Sequence, residues 1–406
     1  MCRKNEKEIR NYSKVMDMKE RAKRSTIIIY MVLMCFPLVL TLVSFANGKV
    51  WDITLKGYAE TYDRPIFSME SYKSGEFQTE FVNWWGHNFK PRNIVVKIWN
   101  QYRFTLFKAN EIGDVVGKDD DLISIGYIDE YICQKDNYNF KNVANQKQMD
   151  QFIDDLEYIS QQLKNRNKVF LVYSTPNKVD YDFENLPFRY KVLVNKQGLR
   201  AIDYFREKIV DTSVDYLDTN EILQFVQEKS SFPVFYSTGH HISRAAEQMM
   251  SQEIIAKVKR KRPDSYGLEI LDIQNSAIPY WRDTDLWDML NVYQKPQETY
   301  YKYNTRRSEN GEKLNWLVQG GSFAQGLTTD LVENQIGNEK NIFYNQYTVD
   351  EDGTMTPFSD WQELDLDSLI DNSDVIVVEV MEQTLNTYNN GYVSYLRETL
   401  EKQEGK

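Results

Sequence analysis

The chain has 406 residues, of which 41% are hydrophobic and 14% aromatic, so it can bury the core of one large domain or two ordinary ones. This composition excludes a disordered polymer. The formal net charge of −11 at pH 7 argues against a nucleic-acid partner, because binding to phosphates needs a basic surface.

The N-terminal region has the charge pattern of a membrane anchor. Residues 1–24 hold nine Lys or Arg against four acids, whereas residues 26–47 carry no charge. Such a run can cross a hydrocarbon core of about 30 Å, and basic residues stay on the cytoplasmic side. We therefore expect a cytoplasmic basic tail (1–24), a transmembrane signal anchor (25–47) and an extracytoplasmic remainder, held in the cell membrane by a single pass. The alternatives are a buried core helix and a cleaved signal peptide.

The cysteines and histidines limit how the outer part is held together. Of three cysteines, Cys2 and Cys35 lie in the expected tail and anchor, so Cys133 has no partner for an internal disulfide. Three histidines with so few cysteines argue against a structural zinc site. We expect no metal and no cofactor.

Residues 50–130 are predicted to form a lead-in that packs on the main domain, residues 131–406. Aromatic and aliphatic residues recur at helical spacing over 77–107, which predicts an amphipathic helix. Residues 115–131 then predict a short hairpin, with a run of aspartates marking its turn.

From residue 147 onwards, helical patterns alternate with short apolar runs. The runs typical of buried parallel strands are residues 168–175, 215–218, 314–319, 341–347 and 374–380. This alternation predicts an α/β domain with a doubly wound, mostly parallel sheet and flanking helices, preceded by one transmembrane helix. Ligands of such sheets bind at the carboxyl ends of the strands. Residues 265–313 have no clear period and are interpreted as an insertion or lid over that edge.

His240 and His241 stand together in a loop before a predicted helix, for which Ser243 is a good N-cap. A histidine at such a position can reach a serine and act as its general base. The alternative is a pair of ordinary surface histidines.

Gly320, Gly321 and Ser322 connect a predicted strand to a predicted helix. The glycines allow a tight turn, and amides at a helix start can stabilise an oxyanion, so Ser322 is a candidate nucleophile. An ordinary turn with Ser322 as the helix cap is the alternative. A phosphate-binding loop is rejected, because Leu327 stands where its lysine should be.

Other polar residues also fall at predicted strand ends. Glu379 and Glu382 fall at the end of one strand, where carboxylates either take part in catalysis or cap the next helix. Asn177 and Lys178 follow another strand at the same edge, and their spacing alone assigns them no role.

A series of segments resembles the ordered motifs of one family over roughly residues 75–400. They are FVNWWGHNFKPRNIVVKIWNQYRFTLF, VVGKDDDLISIGYIDEYI, FLVYSTPNKVDYDFENLP, STGHHIS, GGSF and DVIVVEVMEQTL. The family is the SGNH-hydrolase-like polysaccharide O-acetyltransferases, the AlgJ/AlgX-like group with its DHHW-motif relatives. The resemblance implies an SGNH-like fold and acetyl transfer to a bacterial cell-surface or exported polysaccharide. It also implies a membrane-bound O-acyltransferase partner that supplies the acyl group.

Carried over residue by residue, the resemblance makes Ser322 the nucleophile and His241 the general base. The family's acid lies two residues before that histidine, and here the position is Gly239. Without an orienting carboxylate, the tautomer of the histidine is not fixed. Three alternatives follow from this departure: a distant carboxylate, a slow Ser–His dyad, or a domain that does not catalyse.

The leading prediction is a membrane-anchored extracytoplasmic O-acetyltransferase, and an esterase differs from it only in letting water attack the acyl-enzyme. The runner-up is a catalytically inactive module that binds glycan through tryptophans or serves as a scaffold for the acyltransferase. Its candidate sugar platforms are Trp84, Trp85, Trp281 and Trp287, for which core packing is the alternative. A D-alanyl transfer protein of the teichoic-acid type is less favoured, because its serine motif precedes its histidine. The acidic charge favours a neutral glycan.

Overall fold

A computed structural model describes residues 19–32, 34–36, 39, 43, 53–57, 61–88, 92–133, 135–194, 198–344, 347–349 and 354–404. The chain divides into two compact units. The first comprises Met1–Phe107 with Met289–Gln294, and the second comprises Lys108–Asp288 with Lys295–Lys406.

The start of the chain is described only in part. Residues 19–32, 34–36, 39 and 43 are helical, whereas the rest of the predicted tail and anchor lies outside the described residues. Within the described ranges, no helix combines the length and the hydropathy that crossing a membrane requires.

The first unit contains α1 (Met69–Ser74), α2 (Glu76–Asn88) and α3 (Arg92–Phe107). Ser68 caps α1 through a capping box, and Gly75 ends it in the left-handed conformation, at φ 84°, where a residue without Cβ is favoured. The single helix predicted over 77–107 is wrong, because α2 and α3 cover this range as two helices. The sequence has Pro91 between them, which cannot donate the backbone hydrogen bond of a continuous helix.

The second unit contains all the strands of the described residues. They are β1 (Val115–Val116), β2 (Leu122–Ile123), β3 (Val169–Thr175), β4 (Tyr216–Asp218), β5 (Leu268–Ser276), β6 (Tyr300–Arg307), β7 (Leu314–Gly320), β8 (Gly337–Tyr344), β9 (Tyr347–Val349), β10 (Met355–Pro357) and β11 (Val375–Met381). β1 and β2 form the short antiparallel hairpin predicted from the sequence.

Helices surround these strands. They are α4 (Ile125–Tyr131), α5 (Val143–Asn165), α6 (Val179–Asp182), α7 (Phe188–Lys191), α8 (Ala201–Ile209), α9 (Thr219–Lys229), α10 (Arg244–Lys261), α11 (Asp285–Met289), α12 (Ala324–Glu333), α13 (Leu366–Asn372) and α14 (Tyr392–Glu404).

The central sheet has seven strands in the order β10-β9-β8-β7-β11-β3-β4. The neighbours from β8 to β4 pair in parallel, and β9 and β10 add an antiparallel edge. The predicted α/β fold with a mostly parallel central sheet is therefore confirmed. Parallel pairing also brings the ends of β3, β7 and β11 to one edge of the sheet, as the site prediction requires.

The sheet separates two hydrophobic clusters. Residues of β3 alternate between them: Leu171 belongs to one cluster, whereas Phe170 and Val172 belong to the other. The first cluster includes residues of α10 and α12, and the second includes residues of α5, α8 and α14. Both faces are thus covered by helices, which explains why β3 and β11 read as continuous apolar runs.

Residues 265–313 contain the antiparallel hairpin of β5 and β6. The hairpin packs against α10, since Leu268, Tyr301 and Tyr303 belong to the same hydrophobic cluster as the buried face of that helix. The connection between its strands carries a 3₁₀ turn at Trp281–Thr284 and then α11.

Candidate active site

Ser322 lies in the turn between β7 and α12, as predicted from the sequence. The turn is closed by the amide of Ala324, which donates to the carbonyl of Gly321 at 3.2 Å. A Cβ atom at Gly320 would lie 2.7 Å from Cβ of Glu379 and 2.4 Å from its Oε2, so glycine is needed for this close approach. The hydroxyl of Ser322 makes no hydrogen bond to any described residue.

Glu379 holds the serine turn from the neighbouring strand, β11. Its Oε2 accepts from the amide of Gly321 at 2.6 Å, and its Oε1 accepts from the hydroxyl of Thr175 at 2.8 Å. Burial raises the pKa of Glu379 to about 7, although these hydrogen bonds favour the ionised form. Glu379 is thus a support of the turn that carries Ser322.

Glu382, the other predicted carboxylate, has a different environment. It is fully buried and pairs with Arg206 at 2.7 Å and with Arg200 at 3.8 Å. These partners lie on and beside α8, so Glu382 ties that helix to the end of β11. Its contacts are those of a structural ion pair.

His240 and His241 lie in the loop that leads into α10. Ser243 occupies the N-cap position, but its hydroxyl donates to the carbonyl of Pro233 at 2.7 Å and does not cap the helix. The rings of Tyr127 and His240 stack with their centroids 4.7 Å apart. The hydroxyl of Tyr127 also donates to the carbonyl of His240 at 3.0 Å. Burial, reinforced by the adjacent His241, lowers the pKa of His240 to about 3.

Lys178 stabilises the loop of His240 and His241 through hydrogen bonds to its backbone. Its buried ammonium pairs with Asp121 at 2.9 Å and donates to three carbonyls, those of Leu122, Tyr236 and Gly239. All the donors of an ammonium group are therefore used inside the protein. The lysine positions the loop, and its charge is already neutralised.

Asn177 has a similar part. Its amide donates to the carbonyl of Tyr127 at 2.9 Å and to Glu130 at 2.8 Å, and its oxygen accepts from the amide of Val179. The residue is fully buried, so it stabilises the contact of α4 with the end of β3. Both Asn177 and Lys178 thus support the site from within the fold.

Asp285 supplies the carboxylate that position 239 lacks. Its Oδ2 lies 2.6 Å from Nδ1 of His241, and its Oδ1 accepts from the amide of His240 at 2.7 Å. Burial acts to raise the pKa of Asp285, but the bonds from the two histidines lower it overall. An ionised carboxylate at Nδ1 fixes the tautomer in which Nε2 is the proton acceptor.

The backbone at Gly239 explains why an acid cannot stand there. A Cβ atom at this position would lie 2.9 Å from the carbonyl oxygen of Asp283 and 3.0 Å from that of Arg282. The same segment is held in place by Thr238, whose hydroxyl donates to the Asp283 carbonyl at 2.7 Å. The glycine therefore admits the segment that carries Asp285.

Arg282 binds the backbone of Ser322 from the β5–β6 connection, which also carries Asp285. Its Nη1 donates to the carbonyl of Ser322 at 2.7 Å, and its Nη2 pairs with the buried carboxylate of Glu247 on α10. Arg244, also on α10, pairs with Asp330 on α12. These buried pairs link α10, which follows the histidines, to α12, which follows Ser322, and to the β5–β6 connection that carries Asp285. They therefore fix the relative positions of these three elements.

His241 is poised as a base. Its ring centroid lies 4.7 Å from that of Phe323, the residue after Ser322, and its Nε2 is buried without a hydrogen-bond partner among the described residues. Burial lowers the pKa of His241 below its ordinary value, although Asp285 opposes the shift. The imidazole is therefore neutral near pH 7, with Nε2 available to accept a proton.

The structure thus brings together His241, Ser322 and its glycines and Glu379, and it places Asn177, Lys178 and Glu382 in supporting positions. Sequence reasoning missed Asp285 and Arg282, which lie in the segment without a period. The one sequence signal was indirect, namely a glycine where an acid was expected. Among the described residues, no group of three or more His, Cys, Asp and Glu side chains could hold a metal ion.

No protein-family model and no curated protein matches the chain. Solved structures do match it at low identity. The O-acetyltransferase domain of Pseudomonas putida AlgJ is 15% identical with a TM-score of 0.44, covering 71% of this chain and 99% of that domain. Pseudomonas aeruginosa AlgX is 11% identical with a TM-score of 0.40, and the match covers 70% of this chain and 67% of AlgX. Bacillus cereus PatB1 is 13% identical with a TM-score of 0.35, and the match covers 59% of this chain and 91% of PatB1. AlgJ and AlgX belong to the group that the sequence motifs resemble.

Proposed function

We propose that this chain is a membrane-anchored extracytoplasmic O-acetyltransferase, which modifies a cell-surface or exported polysaccharide through Ser322. The observation that carries the proposal is the contact of 2.6 Å between Nδ1 of His241 and Oδ2 of Asp285. It supplies the orienting acid that the sequence motif lacks, in the same site as a serine on a strand-to-helix turn.

The chemistry follows from these positions. Nε2 of His241 takes the proton of the Ser322 hydroxyl while the serine oxygen attacks an acetyl carbonyl, and the collapsing intermediate expels the donor group with that proton. The acetyl-serine is then attacked by a sugar hydroxyl, whose proton goes to Nε2 and returns to the serine oxygen. Asp285 stabilises the imidazolium in both halves. The amide of Ser322 is our candidate donor for the oxyanion, because the adjacent amide of Gly321 is already bound by Glu379.

The remaining elements of the proposal come from the motifs and the charge pattern. The uncharged run 26–47 after a basic tail supports a single-pass anchor with the enzyme outside the cell. The motif resemblance supports a polysaccharide acceptor and a membrane-bound O-acyltransferase as the source of the acetyl group. The net charge of −11 favours a neutral acceptor.

The inactive-module alternative rested on the glycine at position 239. Since Asp285 contacts His241, that argument for an inactive domain no longer applies. An esterase keeps the same acyl-enzyme and differs in the attacking nucleophile alone, so it is the rival that acceptor assays must separate.

The test uses the full chain, purified in detergent, with p-nitrophenyl acetate as the acetyl donor. We expect ester turnover and a transient mass increase of one acetyl group, and both should be absent from Ser322→Ala. Ser359→Ala alters an exposed serine of the same unit and should behave as the wild type. Equal turnover by the wild type and a folded Ser322→Ala protein, with no adduct, would refute the serine mechanism.

A further inference from the structure

Trp281 differs from the other tryptophans of the second unit in its exposure. Trp281 is 57% exposed, whereas Trp361 is half-buried. Trp287 and Trp316 are 5% and 2% exposed, so these two are core residues. A large apolar ring in solvent costs free energy that core packing would recover. Single exposed apolar residues are common on protein surfaces, so the inference rests on the position of Trp281 beside His241 and a cavity.

The ring of Trp281 stands next to the base of the site. Its centroid lies 6.4 Å from that of His241. The guanidinium of Arg282 lies 5.6 Å from the Trp281 centroid, over the ring, so one face of the indole is covered by a group that also binds the Ser322 carbonyl. More than half of the residue is exposed, so part of the indole is open to a ligand.

A cavity lies beside this tryptophan. It has a volume of about 240 Å³ and is lined by tyrosines Tyr280, Tyr300 and Tyr301, with Ser276, Asp283 and Lys302 as polar groups. Tyr280 connects the two features, because its ring centroid lies 6.2 Å from that of Trp281. Aromatic faces with a few polar groups are the usual lining of a site that binds a small organic ligand.

The lining fits one class of ligand. A pyranose ring presents axial C–H groups on its faces and hydroxyls around its rim, so it packs on an aromatic face and hydrogen-bonds at its edges. We propose that Trp281 and the tyrosine-lined cavity form the binding site for a neutral pyranose oligosaccharide. The sugar that receives the acetyl group packs on Trp281, and a neighbouring sugar occupies the cavity. The role as acceptor rests on the proposed function, whereas the binding does not.

The test measures binding by isothermal titration calorimetry with cellotetraose and chitotetraose, two neutral pyranose oligomers. The full chain with Ser322→Ala serves as the parent, so that catalysis cannot alter the result. We expect Trp281→Ala in this parent to raise the Kd about tenfold, in line with the loss of one aromatic contact. Trp281→Tyr should recover part of the affinity.

Trp85→Ala is the matched control, since it removes a tryptophan that is 42% exposed in the other unit, and its Kd should stay that of the parent. The proposal is overturned if neither oligomer binds the parent, or if Trp281→Ala binds as tightly as the parent. It is also overturned if Trp85→Ala weakens binding equally. The acetyl adduct on Ser322 of the wild type is scored separately, so a failed enzyme and a failed sugar site give different results.

Discussion

Asp285 meets His241 across 44 positions of the chain, with Oδ2 and Nδ1 2.6 Å apart. The acid reaches the histidine from the connection of a β-hairpin and not from the histidine's own loop. Its second oxygen binds the amide of His240 at 2.7 Å, so one carboxylate fixes both the ring and the backbone of the loop.

The first prediction concerns this carboxylate. Asp285→Asn keeps the shape of the side chain but no longer imposes the tautomer with a free Nε2. We therefore expect kcat to fall by up to about 10⁴-fold, the loss that follows when the triad aspartate of a serine protease is replaced by asparagine. Stopped-flow and steady-state assays with p-nitrophenyl acetate measure the change. Asp288→Asn is the control, because Asp288 lies about one turn further along the chain and, among the described residues, accepts only from Thr284 at 3.4 Å. Activity of Asp285→Asn within twofold of the wild type would remove the acid from the mechanism.

The second prediction is that an acid at position 239 cannot replace Asp285. The Gly239→Asp change should not restore activity to Asp285→Asn, because its Cβ would lie 2.9 Å from a backbone oxygen. It should also lower the free energy of unfolding by about 1–3 kcal/mol, a cost typical of overpacking. Urea titration of the single variant measures this loss. Restored turnover in the double variant would contradict the steric argument.

The third prediction is a pH profile. Burial lowers the pKa of His241 below 6.5, and its protonated form cannot accept the serine proton, so kcat/KM should rise with pH and level off by neutrality. The carboxylate of Asp285 opposes this lowering, so Asp285→Asn should move the midpoint further toward acid. Residual activity of the variant, followed between about pH 4 and 8, decides the direction. A midpoint that moves toward alkali would contradict the assigned pair.

The fourth prediction concerns Glu379, whose pKa rises to about 7 from an ordinary 4.5. Between these values the unfolded chain loses this proton and the folded chain keeps it, so the group makes stability fall as pH rises from 4.5 to 7. Glu379→Gln should remove that slope, which is worth up to about 3 kcal/mol. Chemical denaturation at several pH values measures it, with the exposed Glu398→Gln as control. Parallel stability curves for wild type and Glu379→Gln would refute the assignment.

The serine turn and the histidine loop could be predicted from the sequence because each is a local pattern. An apolar strand followed by two glycines and a serine specifies a strand–turn–helix, and parallel pairing then brings its end beside Glu379. The alternating apolar runs specified the sheet for the same reason.

Asp285 could not be predicted, because its position depends on tertiary contacts. Nothing in the sequence around it has a period, and its approach to His241 depends on the space above Gly239 and on the pairing of Arg282 with Glu247. For the same reason, Lys178 could not be recognised as a brace, since its three carbonyl partners come from distant segments.

The residues Trp281 to Asp285 have a consequence for how such a protein changes over evolutionary time. Arg282 and Asp285 belong to a single connection between two hairpin strands, while the serine and the histidine belong to the α/β frame. Exchange of that connection by recombination would replace the acid, the serine contact and the exposed tryptophan in one event. By this route the exposed tryptophan and the acid are exchanged together, and both can be lost while the sheet stays intact.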